Sequence, residues 1–286
     1  MSACIDLLNA VLTGRRLEDD EALDLYQRAD LMDLALAATA VRNRHNDPAR
    51  VSFVIDRNVN YTDVCNVYCT FCAFYHKPGD PKGYVLTREQ LRRKAEETQA
   101  LGGTGFLLQG GVNPDLPWSY YLDLVRFLSQ DLGIWVHGFS PVEIQQMARL
   151  SGLGLKGTLA ALREAGLGSL PGGGAELLVE RIRKKIAPLK GGPEKWLEVM
   201  EAAHELGMKT TGTLMFGITE TLSERIEHLR RLRDQQDRAL VRGNGGGHTA
   251  FAAWPFQSGH TPWAGKIPKP TDVEYLRTIA MARIYL

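Results

Sequence analysis

The residues of this chain that could do chemistry are three cysteines, Cys65, Cys69 and Cys72, which are spaced as C-x3-C-x2-C. Three thiolates can hold three irons of a four-iron, four-sulfur cluster, which otherwise takes four cysteine ligands. The fourth iron is then left without a protein ligand and can bind a small molecule through oxygen and nitrogen atoms. The spacing therefore predicts a cluster that takes part in a reaction.

This cysteine motif resembles that of the radical S-adenosylmethionine superfamily, in which an aromatic residue such as Phe71 also precedes the last cysteine. The resemblance implies that S-adenosylmethionine chelates the open iron through its amino and carboxylate groups. It also implies that Phe71 and Tyr75, which flank Cys72, belong to the cofactor-binding residues. Reductive cleavage of the sulfonium would then release a 5′-deoxyadenosyl radical.

Other uses of the cysteines have to be weighed. His76 follows Cys72 by four residues and could complete a Cys3His zinc site, although such sites normally occur in small modules. Disulfides are disfavoured because three of the four cysteines are crowded together and no secretory signal is recognisable. Cys4 is expected to be a free thiol. An iron–sulfur carrier is the non-enzymatic alternative, but a carrier needs no nucleotide cavity.

The composition predicts a packed soluble protein, with 44% apolar residues, 23% charged residues and a net charge of +1. This balance favours neither nucleic acid nor an anionic membrane as a partner. No apolar stretch is long enough to span a bilayer. Because iron ligation needs reduced thiols, we expect a cytoplasmic protein.

Short β-type runs alternate with helical patterns, which indicates parallel strands joined by crossover helices. We expect strands at residues 51–58, 105–109, 134–139, 168–170, 209–216 and 249–255. The predicted fold is an α/β barrel of the TIM type, with six βα units where a complete barrel has eight. We interpret residues 1–50 as a helical extension packed on the barrel. Residues 51–286 then form the barrel core, from which C-terminal units are expected to be missing.

In parallel barrels the chemistry lies where strands end and loops begin. The second strand is followed by Gln109, Gly110 and Gly111, a turn that could offer backbone carbonyls to the amino group of S-adenosylmethionine. His137 and Ser140 follow at the end of the third strand. Ser140 could donate a hydrogen bond to cofactor or substrate, whereas His137 is either a proton acceptor or a buried core histidine.

Two acidic residues lie after later strands. Glu176 ends a Gly-Gly-Gly-Ala-Glu run and could hold the ribose hydroxyls or the amino group of S-adenosylmethionine. It could instead stabilise a helix start through the helix dipole. Glu220 lies near the mouth, and His137 or Glu220 is expected to accept the proton that the reaction releases.

A wider set of motifs resembles the futalosine-pathway radical enzymes of menaquinone biosynthesis. The motifs are Asn60-Tyr-Thr-Asp-Val-Cys, Leu108-Gln-Gly-Gly, His137-Gly-Phe-Ser-Pro, Ser169-Leu-Pro-Gly-Gly-Gly-Ala-Glu and Met215-Phe-Gly. Within that group the segments at 137–140, 215–217 and 254–257 look like those of the dehypoxanthine futalosine cyclases. The aminofutalosine synthases and the deazaflavin (FO) synthases share the architecture and are the alternatives.

The resemblance implies a definite reaction. The deoxyadenosyl radical would remove a ribose hydrogen from dehypoxanthine futalosine, and the carbon radical would attack the benzoate ring. A new C–C bond forms, and the cyclised radical must lose a proton and an electron to regain aromaticity. The implied partners are this small-molecule substrate and an electron donor such as flavodoxin or ferredoxin.

Overall fold

The computed structural model describes residues 2–286, and its centre is a sheet of six parallel strands in sequential order, which forms a half-barrel. The strands are β1 Asp56–Asn60, β2 Gly105–Gln109, β3 Trp135–Gly138, β4 Leu167–Leu170, β5 Lys209–Phe216 and β6 Gly247–Pro255. The α/β prediction with six βα units is thereby confirmed. Two strands, β2 and β5, have the predicted bounds.

Helices precede the sheet and connect its strands. They are α1 Ser2–Leu12, α2 Asp19–Arg28, α3 Leu31–His45, α4 Arg88–Ala100, α5 Trp118–Arg126, α6 Pro141–Ser151, α7 Gly154–Ala165, α8 Glu180–Ile186, α9 Pro193–Glu205, α10 Leu222–Arg242 and α11 Asp272–Tyr285. A π-helical turn at Phe127–Asp131 extends α5. Among the described residues, no helix has both the length and the apolarity needed to cross a membrane.

The hydrophobic core lies between the outer face of the sheet and the connecting helices. Strand residues such as Val59, Phe106, Leu108 and Val136 point outward into it and are at most 2% exposed. Successive side chains of a strand point to opposite faces, so the alternate residues point to the inside of the half-barrel. That inner face is polar on β1 and β2, where Asn58, Asn60 and Gln109 line an open cavity.

The first strand lies later in the chain than predicted. The apolar run 51–55 is exposed and forms no strand, whereas β1 consists of Asp56–Asn60. Strand β1 pairs with β2 from Asp56 opposite Gly105 onward. A run with only one outward apolar residue, Val59, can be a strand here because its inner face meets open space instead of a packed core.

Several crossover helices begin and end at residues that have local capping signals. Thr87 and Thr221 are N-caps, and each forms a capping box with the residue three positions later. Gly102 and Gly207 follow the ends of α4 and α9 with φ values of +77° and +74°, in the left-handed region that favours glycine. Local chemistry therefore sets the length of these crossover helices.

Helices α1–α3 pack against α10 and α11 in a separate apolar cluster that includes Leu25, Leu34, Leu229 and Met281. A buried polar group lies beside this cluster. The Arg225 guanidinium of α10 donates to the Tyr26 hydroxyl of α2 (3.2 Å) and to Glu274 of α11 (2.5 Å). One side chain thus connects three helices that are distant in sequence.

The same guanidinium binds Glu220, which was predicted to be a candidate proton acceptor. Its carboxylate is 2% exposed, lies 2.7 Å from Arg225 and accepts the backbone N–H groups of Gly217, Ile218 and Thr219 at 2.6–3.1 Å. Burial alone would raise the pKa of Glu220, but the Gly217 N–H and the Arg225 charge lower it below its ordinary value. These contacts make Glu220 the ion-paired centre of the turn after β5 and disfavour a proton-accepting role, which stays a prediction.

We predict that Glu220→Gln lowers the free energy of unfolding by roughly 1–3 kcal/mol, because the buried Arg225 guanidinium keeps Glu274 but loses its second carboxylate partner. Chemical denaturation at pH 7 measures the loss. Since the folded-state pKa of Glu220 is lowered, its contribution is present above the unfolded pKa of about 4.3 and is lost as the pH falls through the folded value. The difference between the two proteins should therefore shrink in acid.

The matched control is Glu198→Gln, which breaks an ion pair with Lys195 that is exposed on both sides. Its unfolding curve should coincide with that of the wild type. Equal stability of Glu220→Gln and Glu198→Gln would show that the turn after β5 does not depend on its buried ion pair.

Candidate active site

A cavity of about 590 Å³ opens at the carboxyl ends of the first strands. Most of the predicted site residues line it, namely Cys65, Phe71, Cys69, Cys72, Tyr75, Gln109, Gly110, Gly111 and Ser140. Side chains that were predicted only from their positions after three different strands are thus brought together. Glu176, His137 and Glu220 are not among its lining residues.

The loop that carries the cysteines is held at several points by backbone hydrogen bonds. The N–H of Cys65 donates to the carbonyl of His76 (2.9 Å), and the N–H of Cys72 donates to the carbonyl of Cys69 (3.1 Å). The N–H of Thr70 reaches the carbonyl of Ile186 at the end of α8 (2.8 Å). The loop therefore has a defined path around the cavity.

The three cysteines are free thiols, with Cys69 buried and the other two half-buried. Burial raises the pKa of Cys69 to about 11, so binding of iron to its thiolate would release a proton. Among residues 4–286, no three His, Cys, Asp or Glu side chains are placed to hold one metal ion.

The histidine that could have completed a zinc site has another partner. His76 Nδ1 lies 2.7 Å from the Asp63 carboxylate. The other oxygen of Asp63 accepts the N–H of Tyr84 (2.8 Å). The pair fastens the end of the cysteine loop to its beginning. A carboxylate bound to one ring nitrogen leaves the other nitrogen able to bind a metal, so the Cys3His alternative stays a prediction.

Glycine is required at the two positions after β2 for a steric reason other than the predicted one. A Cβ atom on Gly110 would lie 2.7 Å from the Tyr61 ring, and one on Gly111 would lie 2.2 Å from the carbonyl oxygen of Val64. The close approach is therefore to the start of the cysteine loop, not only to a ligand. Any side chain at these two positions would displace the loop from the cavity wall.

A buried carboxylate that sequence reasoning missed lies behind this wall. Glu143 of α6 is 2% exposed and accepts the Tyr61 hydroxyl (2.8 Å) and the Gly110 N–H (3.0 Å). It also accepts the N–H (2.7 Å) and the hydroxyl (2.5 Å) of Ser140. Burial raises the pKa of Glu143 to about 7, against the hydrogen bonds, which lower it. The Ser-x-x-Glu spacing of a capping box was the available signal.

Glu176 acts on the cavity through a lysine. Its carboxylate is buried, accepts Lys190 Nζ at 2.9 Å and lies 3.7 Å from Arg183. Lys190 lines the cavity and lies over the Phe71 ring at 5.1 Å. Burial lowers the pKa of Lys190, but the neighbouring carboxylate outweighs it and the net shift is upward. Lys190 was not predicted, since it lies in a short turn between α8 and α9.

Glu176 is itself in a strained conformation. Its φ of +44° lies in the left-handed region, where residues other than glycine are uncommon. It precedes the start of α8 by several residues, so it is not the first-turn acid that the helix-dipole alternative required. The unusual backbone turns its side chain toward Lys190 and the cysteine loop.

His137 lies lower in the half-barrel, on the face of β3 opposite the core residue Val136. Its Nδ1 is 2.7 Å from the Ser169 hydroxyl of β4. Burial lowers the pKa of His137, so the imidazole is neutral around pH 7. A neutral imidazole can accept a proton, whereas the ionised and fully hydrogen-bonded Glu220 has no free acceptor site.

The comparisons with known proteins agree with this geometry. Residues 59–232 match the family model described as Radical SAM superfamily. Cyclic dehypoxanthine futalosine synthases from Halalkalibacterium halodurans and Streptomyces coelicolor are 40% and 42% identical over 98% of this chain, which spans 74% and 69% of their lengths. Aminodeoxyfutalosine synthase of Thermus thermophilus is 37% identical over 99% of this chain and 75% of its own length.

Among solved structures, HydG, a maturase of the FeFe-hydrogenase, superposes with a TM-score of 0.75 at 18% identity over 99% of this chain. This chain spans 62% of the HydG chain. At that identity the likeness shows the fold alone. The family model and the curated relatives establish that this chain belongs to the radical S-adenosylmethionine superfamily.

Proposed function

We propose that this enzyme is a cyclic dehypoxanthine futalosine synthase, which closes a second ring on dehypoxanthine futalosine in menaquinone biosynthesis. The observation that carries the proposal is the 40–42% identity to two enzymes of that name over 98% of the chain. The cavity supports the proposal as well, because the cysteine loop and the polar ends of the first strands line it, as such a reaction needs.

The iron–sulfur cluster together with S-adenosylmethionine would supply a 5′-deoxyadenosyl radical. That radical takes one hydrogen atom from the ribose and becomes 5′-deoxyadenosine. The ribose carbon forms a C–C bond to the benzoate ring, and the ring then loses one proton and one electron. The electron used to cleave S-adenosylmethionine is matched by the electron released at the end, so no net external electron is consumed. The substrate is oxidised by two electrons, and S-adenosylmethionine, which becomes methionine and 5′-deoxyadenosine, would be the oxidant.

The residues of this chain position the reactants. Cys65, Cys69 and Cys72 would hold three irons, and the turn at Gln109–Gly111 with Ser140 would bind S-adenosylmethionine. Phe71 and Tyr75 would contact the cofactor from the cysteine loop. Glu176 would bind it indirectly, through the charge of Lys190 at the cavity wall. Narrow positioning of this kind lowers the entropic cost of the hydrogen transfer.

We assign the proton acceptor to His137 and no longer to Glu220. The imidazole is neutral near pH 7 and lies on the inner face of β3, whereas the Glu220 carboxylate is fully hydrogen-bonded. The cytoplasm is the compartment that keeps the cluster thiols reduced. A one-electron carrier such as flavodoxin or ferredoxin would supply electrons to the cluster.

The direct test is a product assay under anaerobic conditions. Protein reconstituted with iron and sulfide, S-adenosylmethionine and a reductant should convert dehypoxanthine futalosine to its cyclic product, with one 5′-deoxyadenosine for each product formed. Cys69→Ala should contain less iron and form neither compound, whereas Cys4→Ala should match the wild type. Conversion of an enolpyruvyl benzoate instead would identify an aminofutalosine synthase, and stoichiometric zinc without iron would refute the cluster.

Glu143→Gln should weaken binding of S-adenosylmethionine by about tenfold. A glutamine side chain cannot accept hydrogen bonds from all four donors, and the donors lose a charged acceptor. Calorimetry on the reconstituted protein measures the affinity. Because the pKa of Glu143 is about 7, wild-type affinity should fall as the pH drops through 7. That dependence should vanish in the variant.

The matched control for this variant is Glu224→Gln, which removes the corresponding capping-box acid of α10 far from the cavity. It should bind S-adenosylmethionine as the wild type does at every pH. Parallel pH profiles in Glu143→Gln and the wild type would refute a positioning role for Glu143.

His137→Ala should still generate the first radical but complete fewer cyclisations, because the proton acceptor is missing. The ratio of cyclic product to 5′-deoxyadenosine should therefore fall about tenfold or more. Product formation by the wild type should decline only at a pH below the ordinary histidine pKa of about 6.5, because burial lowers the pKa of His137. His45→Ala, at an exposed position on α3, serves as the control, and a wild-type ratio in His137→Ala would exclude the assignment.

A further inference from the structure

The outer surface of the cysteine loop has features of a protein-binding site. We propose that it is the docking site for an acidic one-electron carrier protein. The proposal rests on the proposed function, because only a cluster-dependent reaction needs an electron delivered here. We call this surface the loop face and define it by Tyr68, Phe74, Lys77, Lys185 and Leu189.

The loop face exposes large apolar side chains beside the predicted cluster ligands. Tyr68, Phe74 and Leu189 are 38%, 78% and 62% exposed. Tyr68 has a φ of +50°, an uncommon conformation for a residue with a side chain, in the short segment between Cys65 and Cys69. Exposed aromatic residues at the rim of a site are typical of interaction surfaces.

The same aromatic residues connect the surface to the cavity. The Tyr68 ring lies 5.8 Å from the Tyr75 ring, and Tyr75 lines the cavity of the three cysteines. Phe74 lines that cavity as well, although most of its side chain is exposed to solvent. A carrier on the loop face would therefore be separated from the cluster site by a single layer of side chains.

The charge on the loop face is positive. Lys77 Nζ lies 5.7 Å from the centre of the Tyr68 ring, and Lys185 Nζ lies 5.2 Å from the centre of the Trp263 ring. The Trp263 indole donates to the Thr70 hydroxyl of the cysteine loop (3.1 Å). Lys77 and Lys185 therefore lie beside the cysteine loop, one on a segment that continues it and the other on α8, which contacts it.

These two lysines have no carboxylate partner within the described residues, unlike their neighbour Lys184, which pairs with Glu180 at 3.1 Å. The acid nearest to the cysteines in sequence, Asp63, is buried and bound to His76. The charges of Lys77 and Lys185 are thus left for a partner.

An acidic electron carrier matches these features. Electron-transfer complexes are small and weak, and complementary charges steer their association. A flavodoxin in its hydroquinone form would give one electron to the cluster, release one proton and become the semiquinone. The loop face offers lysines for the acidic rim of the carrier and aromatic side chains for the apolar edge of its flavin.

The test compares the double variant Lys77→Glu/Lys185→Glu with the wild type, both reconstituted with cluster. Calorimetry with purified oxidised flavodoxin at low ionic strength should show about tenfold or greater loss of affinity in the double variant. The wild-type affinity should fall with added salt, and that of the variant should change less. In the double variant, cleavage of S-adenosylmethionine should be slower than in the wild type when reduced flavodoxin is the electron donor. With dithionite as the donor, the variant should cleave it at the wild-type rate.

Lys209→Glu is the control for net charge, since Lys209 is exposed at the opposite, amino-terminal end of β5. An equal loss of flavodoxin affinity in Lys209→Glu and in the double variant would overturn the docking site, as would unchanged affinity in the double variant. Absence of dithionite-driven cleavage in the wild type would count against the proposed function instead. The calorimetric comparison decides the docking site in either case.

Discussion

The arrangement of the candidate active site depends on one buried carboxylate. Glu143 accepts hydrogen bonds from Tyr61, Gly110 and Ser140, which lie just beyond the ends of β1, β2 and β3. Parallel strands in one sheet fix the spacing of their backbones but not the direction in which the following loops leave. A shared acceptor with four donors removes that freedom. The cysteine loop begins directly after Tyr61, so its position against the glycine turn follows from the same carboxylate.

The open inner face of the half-barrel explains the other unusual features of the fold. In a closed barrel, layers of branched apolar side chains fill the interior. Here the inward residues of β1 and β2, such as Asn58, Asn60 and Gln109, line a cavity that has to hold polar ligands. Only the outward residues pack on helices. The apolar signal of β1 and β2 is therefore reduced, and β1 retains a single buried residue, Val59.

This difference shows what could be predicted from the sequence. Helix ends can be predicted from the sequence because capping boxes and terminal glycines are local, as at Thr87 and Gly207. The cavity residues that follow strand ends were also predicted, since strand order alone brings them together. The strand β1 was misplaced because the neighbouring run 51–55 is more apolar, although it lacks a pairing partner. Glu143 was missed because its capping-box spacing predicts only a helix start, whereas its bonds to Tyr61 and Gly110 arise from tertiary packing. Lys190 was missed because its position at the cavity also arises from tertiary packing.

Two buried acids with similar partners show why the sequence could not separate structural from ligand-binding roles. Glu220 and Glu176 each follow a strand, and each pairs with a buried cation. The Glu220 carboxylate is saturated by three backbone N–H groups and a guanidinium, so nothing more can bind it. One oxygen of Glu176 has no hydrogen-bond partner within the described residues, and its lysine faces the cavity. That oxygen lies 3.7 Å from the Arg183 guanidinium, so the carboxylate is ion-paired but not saturated by hydrogen bonds. Its charge reaches the cavity through Lys190, which favours Glu176 over Glu220 as the acid that responds to the cofactor.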